Sequence, residues 1–135
     1  MSPMSNSKKI LILEDDLETL AVLMNRLYEI EKENKFSNIS VLVFSEYTQV
    51  EDYLNKTENF DFDILLLDRD CHAGGSFHVL DFKKFDPKKI ISISTVPEWN
   101  NEAVKKGVGK VCWKGHYNIE EWGDRIKEMI SVMIE

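Results

Sequence analysis

Short aliphatic runs alternate with amphipathic stretches along this chain. The sharpest run is Ile64-Leu65-Leu66-Leu67, bounded by Phe62-Asp63 and stopped by Asp68. Four large aliphatics are too few for a helix and too many for a loop, so the run reads as a strand buried on both faces. Ile10–Leu13 reads the same way, Val41–Phe44 and Ile90–Ser94 read as further strands, and Lys110–Trp113 is a brief fifth strand. The stretches between them carry helical spacing. Asp16 caps a helix with Leu17, Leu20, Met24, Leu27 and Tyr28 on one face. Ser45 opens a second helix, from about Tyr47 to Asn55, with Val50, Tyr53 and Leu54 inward. A short third helix carries Phe77, Leu80 and Phe85 and stops near Pro87. Pro97 opens a fourth that runs to Gly107. Asn118 and Glu121 make a capping-box-like start for the fifth. Its inward face is Ile119, Trp122, Ile126, Met129, Ile130 and Met133.

Strict alternation with continuous apolar strands predicts an α/β fold. Right-handed crossovers with helices on both faces give a doubly wound, five-stranded parallel sheet in the order 2-1-3-4-5. Residues 1–8 are polar and expected to form a disordered leader, and residues 9–135 to form a single domain. In this strand order the first and third strands flank the point where the winding reverses, and ligands bind there outside the carboxyl ends. Those ends carry Glu14-Asp15 and Asp68, and the fourth and fifth strands end in Ser94 and Lys114.

Each of these residues has a plain explanation taken singly. Acids at 14–16 suit a helix start, where the dipole is positive. Asp68 could be a turn carboxylate, Ser94 a loop hydroxyl and Lys114 a solvated lysine. Together they make a chemical set. Several carboxylates gathered at one edge repel one another, and a hard cation such as Mg²⁺ relieves this. Asp68 can then act as a nucleophile toward a phosphoryl group. Lys114 offers a positive charge, and Ser94 a hydroxyl donor, to the phosphoryl oxygens. Phosphoryl transfer asks mostly for such alignment and charge neutralisation.

Charge and composition narrow the field. Net charge is −7, which argues against a nucleic-acid-binding surface. With 43% apolar residues over 135 positions, the chain needs no disulfide or metal to build a core. Cys71 and Cys112 stand in no redox or metal spacing, and His72, His78 and His116 form no zinc pattern with them. No apolar run reaches transmembrane length, and the first nine residues lack a signal-peptide core. A cytoplasmic protein with no membrane or nucleic-acid partner is the expectation.

From about Lys9 to Ile134 the chain resembles a response-regulator receiver domain of two-component signalling, with the flavodoxin-like (βα)5 fold. The matching residues are Glu14-Asp15, Asp68, Ser94 and Lys114 after strands one, three, four and five, and the Gly107–Lys114 spacing. The resemblance implies that Asp68 is the phosphoacceptor, served by a histidine kinase or histidine phosphotransfer protein. It implies Mg²⁺ ligation by Asp15, Asp68 and the Asp70 backbone carbonyl, with Glu14 acting through metal-bound water. Ser94 would move toward the phosphate and repack the face made by the fourth helix, fifth strand and fifth helix. A homodimer at that face and docking on another protein both stay open as outputs of a stand-alone receiver. The chain departs from the family at Lys114-Gly115, where Lys-Pro is usual, and at Val111, where an aromatic is frequent.

Two alternatives follow from the same residues. One is a receiver fold used as a docking module without phosphorylation. The other is a phosphatase, since Asp68-Arg69-Asp70 is similar to the nucleophile motif of haloacid-dehalogenase-type enzymes. In that family the motif normally opens the chain and the metal-binding acids come last, the reverse of the order here.

Overall fold

A computed structural model of the chain describes residues 7–33, 38–56, 62–68, 86–94, 105, 108, 110–113 and 118–134. Its elements are β1 (Lys8–Leu13), α1 (Leu17–Glu33), β2 (Ile39–Phe44), α2 (Tyr47–Lys56), β3 (Ile64–Asp68), β4 (Ile90–Ser94), β5 (Lys110–Trp113) and α3 (Ile119–Met133). The strands form one sheet in the order β2-β1-β3-β4-β5, and every neighbouring pair is parallel. This is the order expected from the sequence. The helix expected around Phe77–Phe85 lies outside the described residues, as do residues 1–6 of the expected leader. Of the segment expected to be helical from Pro97 to Gly107, Lys105 alone has described secondary structure, and it is helical. Among the described residues, no helix is long and apolar enough to cross a membrane.

Alternation along each strand divides the core between the two sheet faces. Ile10, Ile12, Ile64, Leu66, Ile91, Ile93 and Cys112 point toward α1 and α3, where they meet Leu23, Leu27, Ile30, Trp122, Ile126 and Ile130. Leu11, Leu13, Leu65, Leu67 and Ile90 point the other way and pack with Val50 of α2 and with Val108. Phe44, Tyr53 and Phe62 extend that second core as a tilted and then edge-on aromatic contact, with ring centroids 5.6 and 6.2 Å apart. β3 is buried at every position, as an aliphatic run in a central strand requires.

Three boundaries or faces differ from the sequence-based expectation. β1 starts at Lys8 rather than Ile10, because the Lys8 amide donates to the Asn38 carbonyl and pairs the strand starts. The last residue of the expected leader is therefore strand. The helix cap at α2 falls on Glu46, not Ser45. The Gln49 side-chain carbonyl accepts from the Glu46 N–H, and the Glu46 carbonyl accepts from the Val50 N–H. The inward face of α1 is also rotated. Thr19, Val22, Leu23, Arg26, Leu27 and Ile30 are buried, whereas Leu17 is 78% and Tyr28 56% exposed. The reason is that α1 serves two neighbours, the sheet through Leu23, Leu27 and Ile30 and α3 through Val22 and Arg26.

The α1–α3 seam has its own chemistry. The Arg26 guanidinium reaches Glu120 Oε1 at 2.8 Å, the Glu120 carbonyl at 3.1 Å and Asp124 Oδ1 at 3.1 Å. Its charge is held more firmly than usual, first by the Glu120 hydrogen bond and then by Asp124, against the cost of burial. Asn118 caps α3 by accepting from the Glu121 N–H at 2.8 Å, as its spacing predicts.

Candidate functional site

The parallel register brings the carboxyl ends of β1 and β3 to the same level. Leu13 pairs with Leu67, so Glu14 follows β1 at the height where Asp68 ends β3. Glu14 continues the ladder, its N–H donating to the Phe44 carbonyl at 3.0 Å. Side-chain alternation then sends Glu14 and Asp68 toward the same sheet face as Ile12 and Leu66. Asp15 stands at the turn into α1.

The result is a cluster of Glu14, Asp15 and Asp68, one carboxylate oxygen of each lying within 4.8 Å of the others. Glu14 and Asp68 are each 1% exposed, and Asp15 is half-buried. Gathering three carboxylates in this environment is costly unless positive charge or donors meet them. One donor is the Asp16 N–H, which binds Glu14 Oε2 at 3.0 Å. The Asp16 carboxylate, by contrast, faces the helix. Its Oδ2 accepts from the Thr19 N–H at 3.0 Å and from the Thr19 hydroxyl at 2.6 Å, so it serves as the α1 cap.

Among the other residues singled out in the sequence, Ser94 ends β4 and pairs with Trp113 at the end of β5. Asp70 and Lys114 lie outside the described residues, as do Cys71, His72, His78 and His116. The sequence leaves two polar residues of structural weight unmarked. Thr19 and Arg26 are 3% and 6% exposed, yet their types suggest solvated helix positions. The spacing Asp16-x-x-Thr19 is the available signal for the first. Nothing local signals the burial of the second, whose ion-pair partners come from α3.

No protein-family model matches the chain, and no curated protein matches its sequence. Solved structures do match. The response regulator receiver domain of Rhodospirillum rubrum is similar over 90% of this chain and 89% of its own, at 17% identity and a TM-score of 0.65. The non-phosphorylated HemR receiver domain of Leptospira biflexa is similar over 93% and 94%, at 18% identity and a TM-score of 0.65. The chain has the fold of a receiver domain. A lysine decarboxylase from Francisella novicida contains a similar unit. That match covers 99% of this chain but 18% of the enzyme, at 11% identity and a TM-score of 0.51. One architecture therefore occurs in signalling proteins and inside an enzyme, so the fold alone does not assign a function. What a receiver fold does depends on the residues at its carboxyl-terminal edge.

Proposed function

We propose that this receiver-fold chain is a phosphoacceptor signalling domain in which Asp68 takes a phosphoryl group from a histidine kinase or histidine phosphotransfer protein. The observation that carries this reading is the convergence of Glu14, Asp15 and Asp68 from two adjacent strand ends into one cluster. The donor set fits Mg²⁺. All three side chains offer carboxylate oxygen, with no thiolate or imidazole among them. Ligand oxygens around Mg²⁺ stand roughly 3 Å apart when adjacent and 4 Å when opposite. One oxygen from each residue lies within 4.8 Å of the others, close to that spread.

Bound there, Mg²⁺ would neutralise the cluster and screen the incoming phosphoryl oxygens. The chain's own residues supply the rest. Asp68 provides the attacking oxygen, which forms the new O–P bond as the P–N bond to the donor imidazole breaks and that nitrogen keeps the electron pair. Asp15 and Glu14 hold negative charge where the cation is needed, and the Asp70 carbonyl completes the set by resemblance. Ser94 and Lys114 contact the transferred group's oxygens and read its arrival out to the face around β5 and its flanking helices. A downstream protein or a second copy of the chain would receive that change by contact. In this role the chain does not turn over an independent substrate and acts in the cytoplasm.

The test is intact-mass analysis after treatment with acetyl phosphate and Mg²⁺. The wild type is expected to gain one phosphoryl group, prevented by chelating the metal beforehand and absent in Asp68→Ala. A second reading is favoured by the burial of Asp68 and Glu14, each 1% exposed. On that reading the cluster is a closed remnant and the fold serves only as a docking module. Wild-type protein that stays unlabelled by both acetyl phosphate and a phosphorylated histidine phosphotransfer domain would decide for it.

A further inference from the structure

We infer that Thr19 is a positioning residue for the acidic cluster, acting through Asp16 on Glu14. The inference rests on the metal-binding reading above and extends it to a residue that touches no ligand. An N-cap needs its side-chain oxygen to accept one backbone N–H from the first turn. Here Asp16 Oδ2 accepts two donors, the Thr19 N–H and the Thr19 hydroxyl, the latter at 2.6 Å. The Leu20 N–H is bound to the Asp16 carbonyl at 3.0 Å. Asp16 is thereby fixed at its side chain and at its backbone carbonyl. Its backbone N–H is the group that donates to Glu14 Oε2 at 3.0 Å.

The chain of contacts runs from a buried hydroxyl to a buried carboxylate. Thr19 is 3% and Glu14 1% exposed, while Asp16 between them is exposed. An exposed aspartate at a helix end ordinarily samples several rotamers, and its neighbouring peptide planes move with it. The Thr19 N–H and hydroxyl together restrict that freedom. The Glu14 carboxylate is then aimed before a cation arrives, and binding loses no free energy to ordering it. Direct hydrogen-bond partners of metal-ligating side chains typically contribute about tenfold or more in affinity, and Thr19, one contact further out, contributes less.

The experiment is isothermal titration of Mg²⁺ into the full chain, comparing wild type with Thr19→Val, Thr19→Ser and the mild core variant Ile30→Val. Thr19→Val, equal in shape but without the hydroxyl, is expected to bind Mg²⁺ several-fold more weakly. Thr19→Ser restores the hydroxyl and is expected to bind like wild type. Ile30→Val loses stability without loss of affinity, which separates positioning from general destabilisation. If Thr19→Val does not fold, Thr19→Ala takes its place. A second readout is amide hydrogen exchange at Asp16 in metal-free protein, expected to quicken in Thr19→Val relative to Thr19→Ser. Equal Mg²⁺ affinity in the valine and wild-type proteins, or equal loss in the serine and valine proteins, overturns the inference alone. Absence of Mg²⁺ binding by wild type overturns the metal-binding reading itself.

Discussion

At the scale of single residues, Cys112 shows how position sets reactivity. It lies in β5, 1% exposed, among the side chains facing α1 and α3. Burial pushes its thiol from 9.0 up to about 11, against the smaller pull of Arg125 and a contact with Trp122. The thiolate is the reactive form. In a Cys71→Ser background, native protein at pH 8 is therefore expected to resist Ellman's reagent and to react fully once unfolded. Rapid reaction of the native protein would refute this. The same shift affects stability in a definite direction. The unfolded thiol ionises near pH 9 while the folded one stays neutral, so stability is lost as pH rises from about 9 toward 11. The loss is expected to shrink in Cys112→Ala, as measured by denaturant midpoints across that interval. The three acids of the cluster are visible in the sequence because each follows or ends an aliphatic run. Arg26 is not, since its burial depends on α3 partners distant in sequence, and Thr19 is signalled only by its spacing from Asp16.

At the scale of elements, the α1–α3 seam depends on the absence of a side chain at Gly123. A methyl group placed there would overlap Val22 Cγ1 and press on Arg26 Nε and Nη2, at 3.1 and 3.2 Å. Helix propensity alone favours alanine over glycine by about 1 kcal/mol. The steric term opposes it, because overpacking a filled contact costs about 1–3 kcal/mol. Because the overlap with Val22 Cγ1 is severe, the steric cost falls at the upper end of that range, and Gly123→Ala is expected to destabilise the protein by a net of about 1–2 kcal/mol in chemical denaturation, with the loss partly recovered when Val22→Ala is added. A single mutant as stable as wild type would show that the helices move apart freely. The ion pairs nearby contribute less. Lys127 bridges Glu29 and Glu33 at 3.4 and 2.8 Å, but these groups keep contact with solvent, which screens the attraction. The seam also explains which part of α1 is obscure in the sequence. Leu17, Leu20, Met24, Leu27 and Tyr28 share a helical spacing, and hydrophobicity alone assigns them one inward face. Packing against two surfaces turns the helix instead, so that Val22 and Arg26 face inward while Leu17 and Tyr28 stay exposed. In α3, where one apolar stripe faces one core, Trp122, Ile126 and Ile130 are legible directly.

At the scale of the whole molecule, strand order is legible because aliphatic runs without alternation require cover on both faces, and alternating helices provide it. Register then does what sequence spacing cannot show, setting Glu14 beside Asp68 although they lie far apart in the chain. The same arrangement predicts a linkage between cation binding and stability. Asp68 joins Glu14-Asp15 in the folded state and is separated from them in the unfolded one, so a cation held by all three would bind the native state preferentially. At a free Mg²⁺ concentration about ten times its dissociation constant, the native state gains about 1.4 kcal/mol. For a domain of this size that corresponds to a rise of about 3–6 °C in the unfolding midpoint. The rise is expected in MgCl₂ and not in NaCl at equal ionic strength, which isolates site binding from screening of the −7 net charge. Asp15→Ala, which removes the half-buried carboxylate of the cluster, is expected to abolish it. Equal midpoints in the two salts for wild type would mean that the strand ends bring the acids together for a reason other than a shared cation.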